Sequence, residues 1–533
     1  MATVVDATLA RHDVVSRPEK IMPRSWLAIR GRVNGENMLA RPLPWLLLLG
    51  VALRLWAALT PGFHHPDAIY QYLEPAHRLL TGEGVVTWEW RDGIRSWLIP
   101  TLLAVPLGLG EALDPNGPLP MILPRLATGI ASLGIIWAGW DIGRRHSPTT
   151  GILTGLVAAT WFECVFFAAE TLAEPLAVAA IIPAAALVTS PRRTRTRLVL
   201  AGALLGFAAL ARPHYGPAAA VLVLVSWWPS MTRARVDLRP WIALLGGAVA
   251  VAAISASIDA GHGLTPFAWI IENVRQNVVH NVSARYGVFP PLTYVAWFVE
   301  LWSWWLIPAT VGVLYGWRLA PGLFAAAVVT VIVHSLIPHK EYRFVYLSFA
   351  ILALLAAMGW GVLIAAVRQR HGTTIARIAT IAVVLMWSVA SITLARGYLA
   401  PTSLEPHADG ARIFATLRRD PAVCGVALVH PASFADVPGA VALRRGTPVS
   451  MFWADDPASG RGGPWAAAAR QAPDFNRIVT ASAGPITVPA GYHVSHCERR
   501  GSARMCILSR PGPCRSSGRS PFLINRAMAR MGF

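Results

Sequence analysis

Apolar residues run through this chain in long blocks, with polar residues gathered between the blocks rather than interleaved with them. A helix that crosses about 30 Å of hydrocarbon needs about 20 mostly apolar residues. The stretches 43–60, 123–142, 150–168, 174–190, 198–213, 216–230, 240–258, 292–316, 320–337, 344–367 and 377–395 meet or approach that length. They predict a polytopic α-helical membrane protein of about 11–13 spans, with the eleven stretches as the preferred count. Residues 97–112 (WLIPTLLAVPLGLGEA) are apolar but short and hold Pro100 and Pro106. A full crossing there would force Arg144–His146 outside, so a re-entrant or membrane-surface segment is expected.

Basic loops set the orientation. Residues 1–42 are polar, carry Arg17, Lys20, Arg24, Arg30 and Arg32, and lack a cleavable signal pattern, which predicts a cytoplasmic anchor. Arg144–His146, Pro191–Arg197, Thr232–Arg239, Trp317–Arg318 and Arg368–Arg377 then read as cytoplasmic. This places 61–95, 169–174, 212–215, 259–291, 338–343 and the tail outside. The expected organisation is a basic segment at 1–42, a membrane domain at 43–395, a small α/β domain at 396–510 and a loose basic tail at 511–533. Within the tail, Ala411–Arg418 reads as helix, and Gly425–Val429, Ile478–Ala481 and His493–Cys497 read as strands. Cys424, Cys497, Cys506 and Cys514 are an even set that suits disulfides in an extracytoplasmic domain, with free thiols as the alternative. Cys497 and Cys506 flank a turn at Arg499–Ser502 across which they can pair.

Composition narrows the class. The 533 residues are 54% hydrophobic and 14% charged, against about a quarter charged in soluble domains. A compact soluble domain, a disordered chain and a secreted mini-protein are excluded. The net charge of +19 would suggest nucleic acid in a soluble protein. Here membrane orientation accounts for it, so the expected partner is a lipid bilayer and no nucleic acid. Lysine occurs only at Lys20 and Lys340, and the arginine and alanine bias suggests a bacterial, inner-membrane protein.

The polar chemistry collects in the outer loops. The first holds His64, His65, Asp67, Glu74, His77, Glu83, Glu89, Asp92 and Arg95, interleaved with Tyr70, Tyr72, Trp88 and Trp90. A helix starting at Pro66 would put Asp67, Gln71 and Glu74 on one face. Acids beside aromatic rings suit a sugar, the rings packing on C–H faces while carboxylates bind hydroxyls. The competing reading is an interfacial aromatic belt, which accounts for the tryptophans but not the acids. Glu163, Glu170 and Glu174 would share a face of one continuous helix, and a carboxylate at membrane depth needs a reason. Arg212, His214 and Tyr215 form a third group. His339, Lys340, Glu341 and Arg343 crowd a short turn whose cations suit phosphate or pyrophosphate; a surface ion pair with Glu341 is the plainer alternative.

Several devices are missing from the sequence: the GxxxxGK[ST] phosphate loop, GxGxxG, Asp-x-Asp, zinc-like Cys/His spacing and the GxSxG elbow. No metal and no cofactor is expected, and a lipid-phosphate donor fits an outward site.

Residues 65–100 (HPDAIYQYLEPAHRLLTGEGVVTWEWRDGIRSWLIP) and 334–346 (HSLIPHKEYRFVY) resemble, in order, the two signature regions of glycosyltransferase family 22. TLAEPLA (171–177), ARPHYG (211–216) and the loop from Asn281 to Tyr294 are weaker likenesses. That family comprises dolichyl-phosphate-mannose-dependent α-mannosyltransferases of N-glycan and GPI-anchor assembly with the GT-C membrane fold, and the resemblance covers about 43–370. Two departures stand out. Ala68 replaces the Glu that usually follows His-Pro-Asp, leaving that role unfilled or passed to a residue such as Glu74. The usual Ser-Asn reads Ala173-Glu174, which bears on the acceptor.

The resemblance implies inverting transfer of a sugar, mannose first, from a polyprenyl-phosphate donor to a hydroxyl of a glycan or glycolipid acceptor. Asp67 is the expected general base. His339, Lys340 and Arg343, with Arg212 and His214 as a second clamp, are expected to hold the donor phosphate. His65, Glu74, Trp88, Glu89, Trp90, Arg95 and Glu174 are expected on the sugar and acceptor side. A transferase for arabinose or glucose, a lipid-linked-sugar transporter and a scaffold role for the tail are the alternatives. In a eukaryote the same reading would place the protein in the endoplasmic reticulum membrane.

Overall fold

The protein is described by a computed structural model over residues 42–231, 237–398, 407–430, 437–500, 503–515 and 518–533. Residues 1–41 of the expected basic segment 1–42, part of the loop Thr232–Arg239, residues 399–406 of the expected domain 396–510 and part of the turn Arg499–Ser502 lie outside these ranges. The apolar blocks form helices with legible ends. Pro42, Pro148 and Pro321 open theirs, where proline's missing N–H costs nothing. Ser147 and Thr194 cap theirs by accepting from the Thr150 and Arg197 amides.

Among the described residues, five helical stretches are long and apolar enough to cross a membrane: Pro42–Leu59, Leu119–Arg144, Arg239–Gly261, Thr293–Leu319 and Tyr342–Arg396. Pro148–Thr160 and Phe162–Ala169, bent by 55°, make a sixth if taken as one span. Leu98–Leu113, Ala173–Val188 and Pro321–Ser335 are apolar and shorter. The segment expected to be re-entrant is thus the 16-residue helix Leu98–Leu113, about 24 Å long at helical rise.

The longest helix, Tyr346–Tyr398, is a hairpin. Gly372 interrupts it with φ 82° and ψ −177°, a backbone that an L side chain would strain. On one side of the break, Phe349 lies 6.3 Å from the ring of Trp302; on the other, Trp387 lies 5.1 Å from Trp161, which itself touches Trp302. An unbroken helix would hold residues 349 and 387 about 57 Å apart.

The expected span 292–316 is also broken. Ser303, at φ 45°, separates Thr293–Trp302 from Leu306–Gly316. Where helices break, carbonyls lose their partners, and in lipid the protein must replace them. Arg54, 1% exposed within the first helix, donates to the carbonyls of Ala158, Ala159 and Cys164 around the bend at Trp161. Arg125 does the same for Ala57, Thr60 and Ala169. Elsewhere the helices touch backbone to backbone. A methyl group on Gly247 would sit 1.9 Å from the Val199 carbonyl oxygen, so only glycine lets Arg239–Gly261 lie against Arg195–Ala211.

The C-terminal region is a five-stranded mixed sheet: β1 (Val426–Val429), β2 (Val449–Phe452), β3 (Arg477–Ser482), β4 (His493–Arg500) and β5 (Ala503–Ser509), in the order β2-β1-β3-β5-β4. β1 runs parallel to β2 and β3, and β5 is antiparallel to β3 and β4. The helix Ala408–Arg419 packs on it through Ile413, Phe414 and Leu417. Cys497 and Cys506 face each other across the β4–β5 ladder and are joined, and Cys424 is joined to Cys514.

The loose tail expected from 511 does not describe the last residues. Ile524–Met531 is a helix that buries Ile524, Ala527 and Met528, preceded by buried Phe522 and a bridge from Leu523 to Ser450. The Arg-, Gly- and Ser-rich character stops near 520, and the apolar residues beyond it recur at helical spacing.

This sheet region docks on the first loop of the membrane domain. Tyr70 donates to the Val437 carbonyl at 2.7 Å, and Arg418 bonds Glu111 at 2.7 Å. Asn525 takes both the Val86 amide and the Gly84 carbonyl.

Cys424–Cys514 spans 90 positions of chain and Cys497–Cys506 only 9. In the chain-entropy account, the longer loop stabilises by about 2 kcal/mol more. Replacing the first pair by alanine is therefore expected to lower the melting temperature of the full chain more than replacing the second, read by thermal denaturation in one detergent.

Candidate active site

The five loops expected outside meet one another. Phe289 N–H donates to the Pro338 carbonyl, Thr171 to the Ala68 carbonyl, Ser96 to Asp259, and Glu170 accepts the His64 amide. Between them lies a cavity of about 560 Å³, within the range of small-molecule sites. Asp67, His65, Gln71, Trp88, Glu89 and Arg95 line it from the first loop. Arg212, His214, His339, Lys340, Glu341 and Arg343 line it from the later ones.

Arg343 stands at its centre, 4% exposed. One arm donates to Asp67 at 2.5 Å across 276 residues of sequence, Nε donates to Glu341 at 2.5 Å, and the other arm lies 3.5 Å from Glu174. His65 joins the same group, with Nε2 3.3 Å from Glu341 and Nδ1 accepting the Asp67 amide at 3.2 Å. Burial alone would raise the Asp67 carboxyl, but the Arg343 guanidinium and then His65 hold it well below the usual carboxylate range. Glu341 is held low by Arg343 and His339 against the same burial. Both are therefore charged at any working pH.

Asp67 owes its position to local backbone. Ala68–Leu73 winds as a π-helix rather than an α-helix, a form frequent at functional sites. The wider i→i+5 turn keeps Gln71 on the Asp67 side, where it donates to Glu89 at 2.8 Å. The same turn carries Glu74 away. Glu74 does not line the cavity; fully buried, it accepts the Val85 amide at 2.7 Å and the Val441 amide at 2.9 Å. The expected common face for Asp67, Gln71 and Glu74 presumed α-helical pitch, and Glu74 instead fastens the sheet region to the loop.

Other residues also part from their expected places. Glu163, Glu170 and Glu174 do not share a helix, because the helix Phe162–Phe166 tightens into a 3-10 turn at Phe167–Ala169 and the chain then breaks before Ala173. Glu163 accepts from Trp161, Trp302 and Tyr342 inside the helical core. Glu174 alone joins the site, behind Arg212 (3.1 Å) and Arg343. Trp90 packs against Trp97, ring centroids 4.5 Å apart and tilted by 47°, away from the cavity lining. Lys340 reaches the lining, but its ammonium donates to the carbonyls of Ser335 (3.0 Å) and Ile337 (2.5 Å) at the end of the helix Pro321–Ser335.

The cavity also holds Ser283 and Tyr286 from the weakly matching loop Asn281 to Tyr294, and residues outside every motif: Asn273 and Asn277 from 259–291 and Met528 and Phe533 from the tail. Trp269, Asn273 and Asn277 recur every four positions, a helical spacing that was available in the sequence. Among the described residues no three His, Cys, Asp or Glu side chains converge as a metal site requires.

A helical membrane protein whose broken helices carry an acid- and arginine-lined cavity against a small sheet domain has the GT-C architecture. The apo crystal structure of ArnT from Cupriavidus metallidurans superposes with a TM-score of 0.57 at 12% identity, covering 89% of this chain and 100% of that one. The same protein bound to undecaprenyl phosphate gives 0.55, covering 88% and 99%. The model of the Alg9-like mannosyltransferase family matches residues 45–424, and the chain belongs to that family. Relatives include GPI mannosyltransferase 3 of Yarrowia lipolytica, 29% identical over 339 residues (58% of this chain, 61% of the relative). GPI alpha-1,2-mannosyltransferase 3 of Homo sapiens is 25% identical over 352 residues (60% and 56%). The matches thus span about three fifths of these relatives' own length.

Burial raises the Glu74 carboxyl to about 7, against the pull of the Val85, Val441 and Ala440 amides. A folded pKa above the unfolded one, about 4.3, means that the native state binds the proton more tightly. Its contribution to stability is full at low pH and is lost as pH rises from about 4 through about 7. Glu74→Gln is expected to flatten that part of the melting-temperature profile; parallel profiles would assign the slope to another group.

Proposed function

We propose that this chain is an inverting mannosyltransferase. It moves mannose from a polyprenyl-phosphate donor to a hydroxyl of a glycan or glycolipid acceptor, on the non-cytoplasmic face of the membrane. Family membership supports the sugar and the reaction, and the ArnT fold, held with undecaprenyl phosphate in its crystal, supports the donor class. The observation that carries the reading is the meeting of Asp67 and Arg343 in one cavity lined by Trp88, Glu89 and Tyr286.

In the proposed step the acceptor oxygen attacks C1 of the sugar from the face opposite the phosphate. The C1–O bond breaks with its electrons going to the phosphate, which leaves as the lipid monoester, and the acceptor proton passes to Asp67. Paired with Arg343, Asp67 is charged but weakly basic. It becomes an effective acceptor once the attacking hydroxyl has acidified through bond formation to carbon. A phosphate monoester leaves without a proton, so cations and N–H donors are the help it requires. The arginine-rich composition favours a bacterial plasma membrane. The eukaryotic relatives make the endoplasmic reticulum the second location, and arabinose or glucose the second sugar.

Membranes holding only this protein, given polyprenyl-phosphate mannose and an acceptor panel, are expected to form an α-mannoside detectable by mass spectrometry; transfer from another donor alone would replace mannose. Asp67→Asn is expected to lower turnover about 10²–10⁴-fold while polyprenyl phosphate still binds. Near-normal turnover would remove Asp67 from the role.

A further inference from the structure

The turn that looked most like a phosphate clamp is already saturated by the protein. Lys340 donates to main-chain carbonyls at a helix end. Both His339 ring nitrogens are engaged, with the Gly287 carbonyl at 3.1 Å and Glu341 at 2.9 Å. Arg343 spreads its arms over Glu341, Asp67 and Glu174. An incoming phosphate would have to displace a carboxylate or a carbonyl from each of them.

Donor nitrogens without a partner lie elsewhere, on arginines whose Nη2 alone meets a carboxylate: Arg95 lies 3.5 Å from Glu89 and Arg212 3.1 Å from Glu174. Beside the main cavity is a smaller chamber of about 40 Å³ that shares Arg95, Arg212, His214 and Asn273 with it. That is room for about three waters, or for the oxygens of one phosphate group. Four buried nitrogens on its lining residues have no hydrogen-bond partner: Arg95 Nε, Arg212 Nε, His214 Nδ1 and Trp269 Nε1. Arg212 and Trp269 are 9% and 6% exposed. Arginine and tryptophan nitrogens can only donate, and buried donors are seldom left without an acceptor. Two arginine Nε–H groups and the Trp269 N–H, beside a His214 ring that can donate or accept, complement an oxyanion.

The chamber's other wall is apolar, formed by Leu98, Ile99, Leu210 and Ala211 from the helices Leu98–Leu113 and Arg195–Ala211. Farther along the first of these helices, Leu102, Val105 and Leu109 are exposed, as suits a surface against lipid. Charge at one end and hydrocarbon at the other match a phosphate on a long apolar tail better than a free ion.

We infer that the phosphate monoester of the lipid donor, and of the released carrier, is held in this side chamber by Arg95, Arg212, His214 and Trp269 rather than by the Lys340–Arg343 turn. The inference rests on the proposed lipid-phosphate donor but not on the sugar transferred. It makes Trp269, which no motif contains, a direct phosphate ligand, and it moves Arg95 from the acceptor side to the donor side.

The test measures binding of undecaprenyl phosphate to the full chain in nanodiscs, with undecaprenol and inorganic phosphate as parallel probes. Trp269→Phe keeps an aromatic ring, smaller than the indole, and removes one N–H; Arg95→Lys keeps the charge and removes the fork. Each is expected to weaken undecaprenyl phosphate about tenfold and to leave undecaprenol unchanged, with an unaltered melting temperature for Trp269→Phe as the control for folding. Wild-type affinity in Trp269→Phe overturns the assignment. So does a chamber in which only inorganic phosphate responds to the substitutions, which would make it a free-anion site. If the wild type transfers mannose while Trp269→Phe binds normally, this inference alone falls. If Trp269→Phe loses lipid-phosphate binding but the wild type transfers no sugar, the chamber stands and the transferase reading falls.

Discussion

The ion pair between Arg343 and Asp67 is the constraint on which the site depends. A guanidinium only 4% exposed must be surrounded by acceptors, since an unpaired buried charge costs about 3–5 kcal/mol. Asp67, Glu341 and Glu174 fill that need from three separate stretches of chain. Neutralising one cation therefore pulls the first loop, the start of the helix Ala173–Val188 and the turn at 338–343 together. The cavity is the space left open beside that junction.

A second requirement shapes everything around it. In a hydrocarbon environment each break in a helix exposes carbonyls that water cannot reach. Arg54, Arg125 and Lys340 answer this demand, each donating to two or more main-chain oxygens near a break or helix end. Long cationic side chains thus do structural work at places where charge alone would suggest a ligand. The same accounting turns attention to Nε of Arg95 and Arg212, Nδ1 of His214 and Nε1 of Trp269, buried atoms that have no hydrogen-bond partner.

Much of the fold was legible because apolar blocks long enough to span are hard to mistake. The meeting of the 65–95 and 334–346 stretches was also legible, from their residue types and their resemblance to family 22. What failed was fine geometry. Glu74 shares a face with Asp67 only at α-helical pitch, and nothing in AIYQYL announces the extra residue per turn. Glu163 looked like a buried functional acid because the partners that satisfy it, Trp302 and Tyr342, lie about 140–180 positions away. Lys340 looked free because a main-chain acceptor leaves no mark in a sequence. Phe522–Met531 was hidden beneath the Arg- and Gly-rich residues before it.

The helix Ile524–Met531 lies a hundred residues beyond the end of the family match at 424, yet Met528 and Phe533 form part of the wall facing the Asp67 cavity. The wall facing Asp67 thus draws on a part of the chain that the family model does not describe. Substitutions at Met528 or Phe533 would alter the room above the ion pair without touching any of its members.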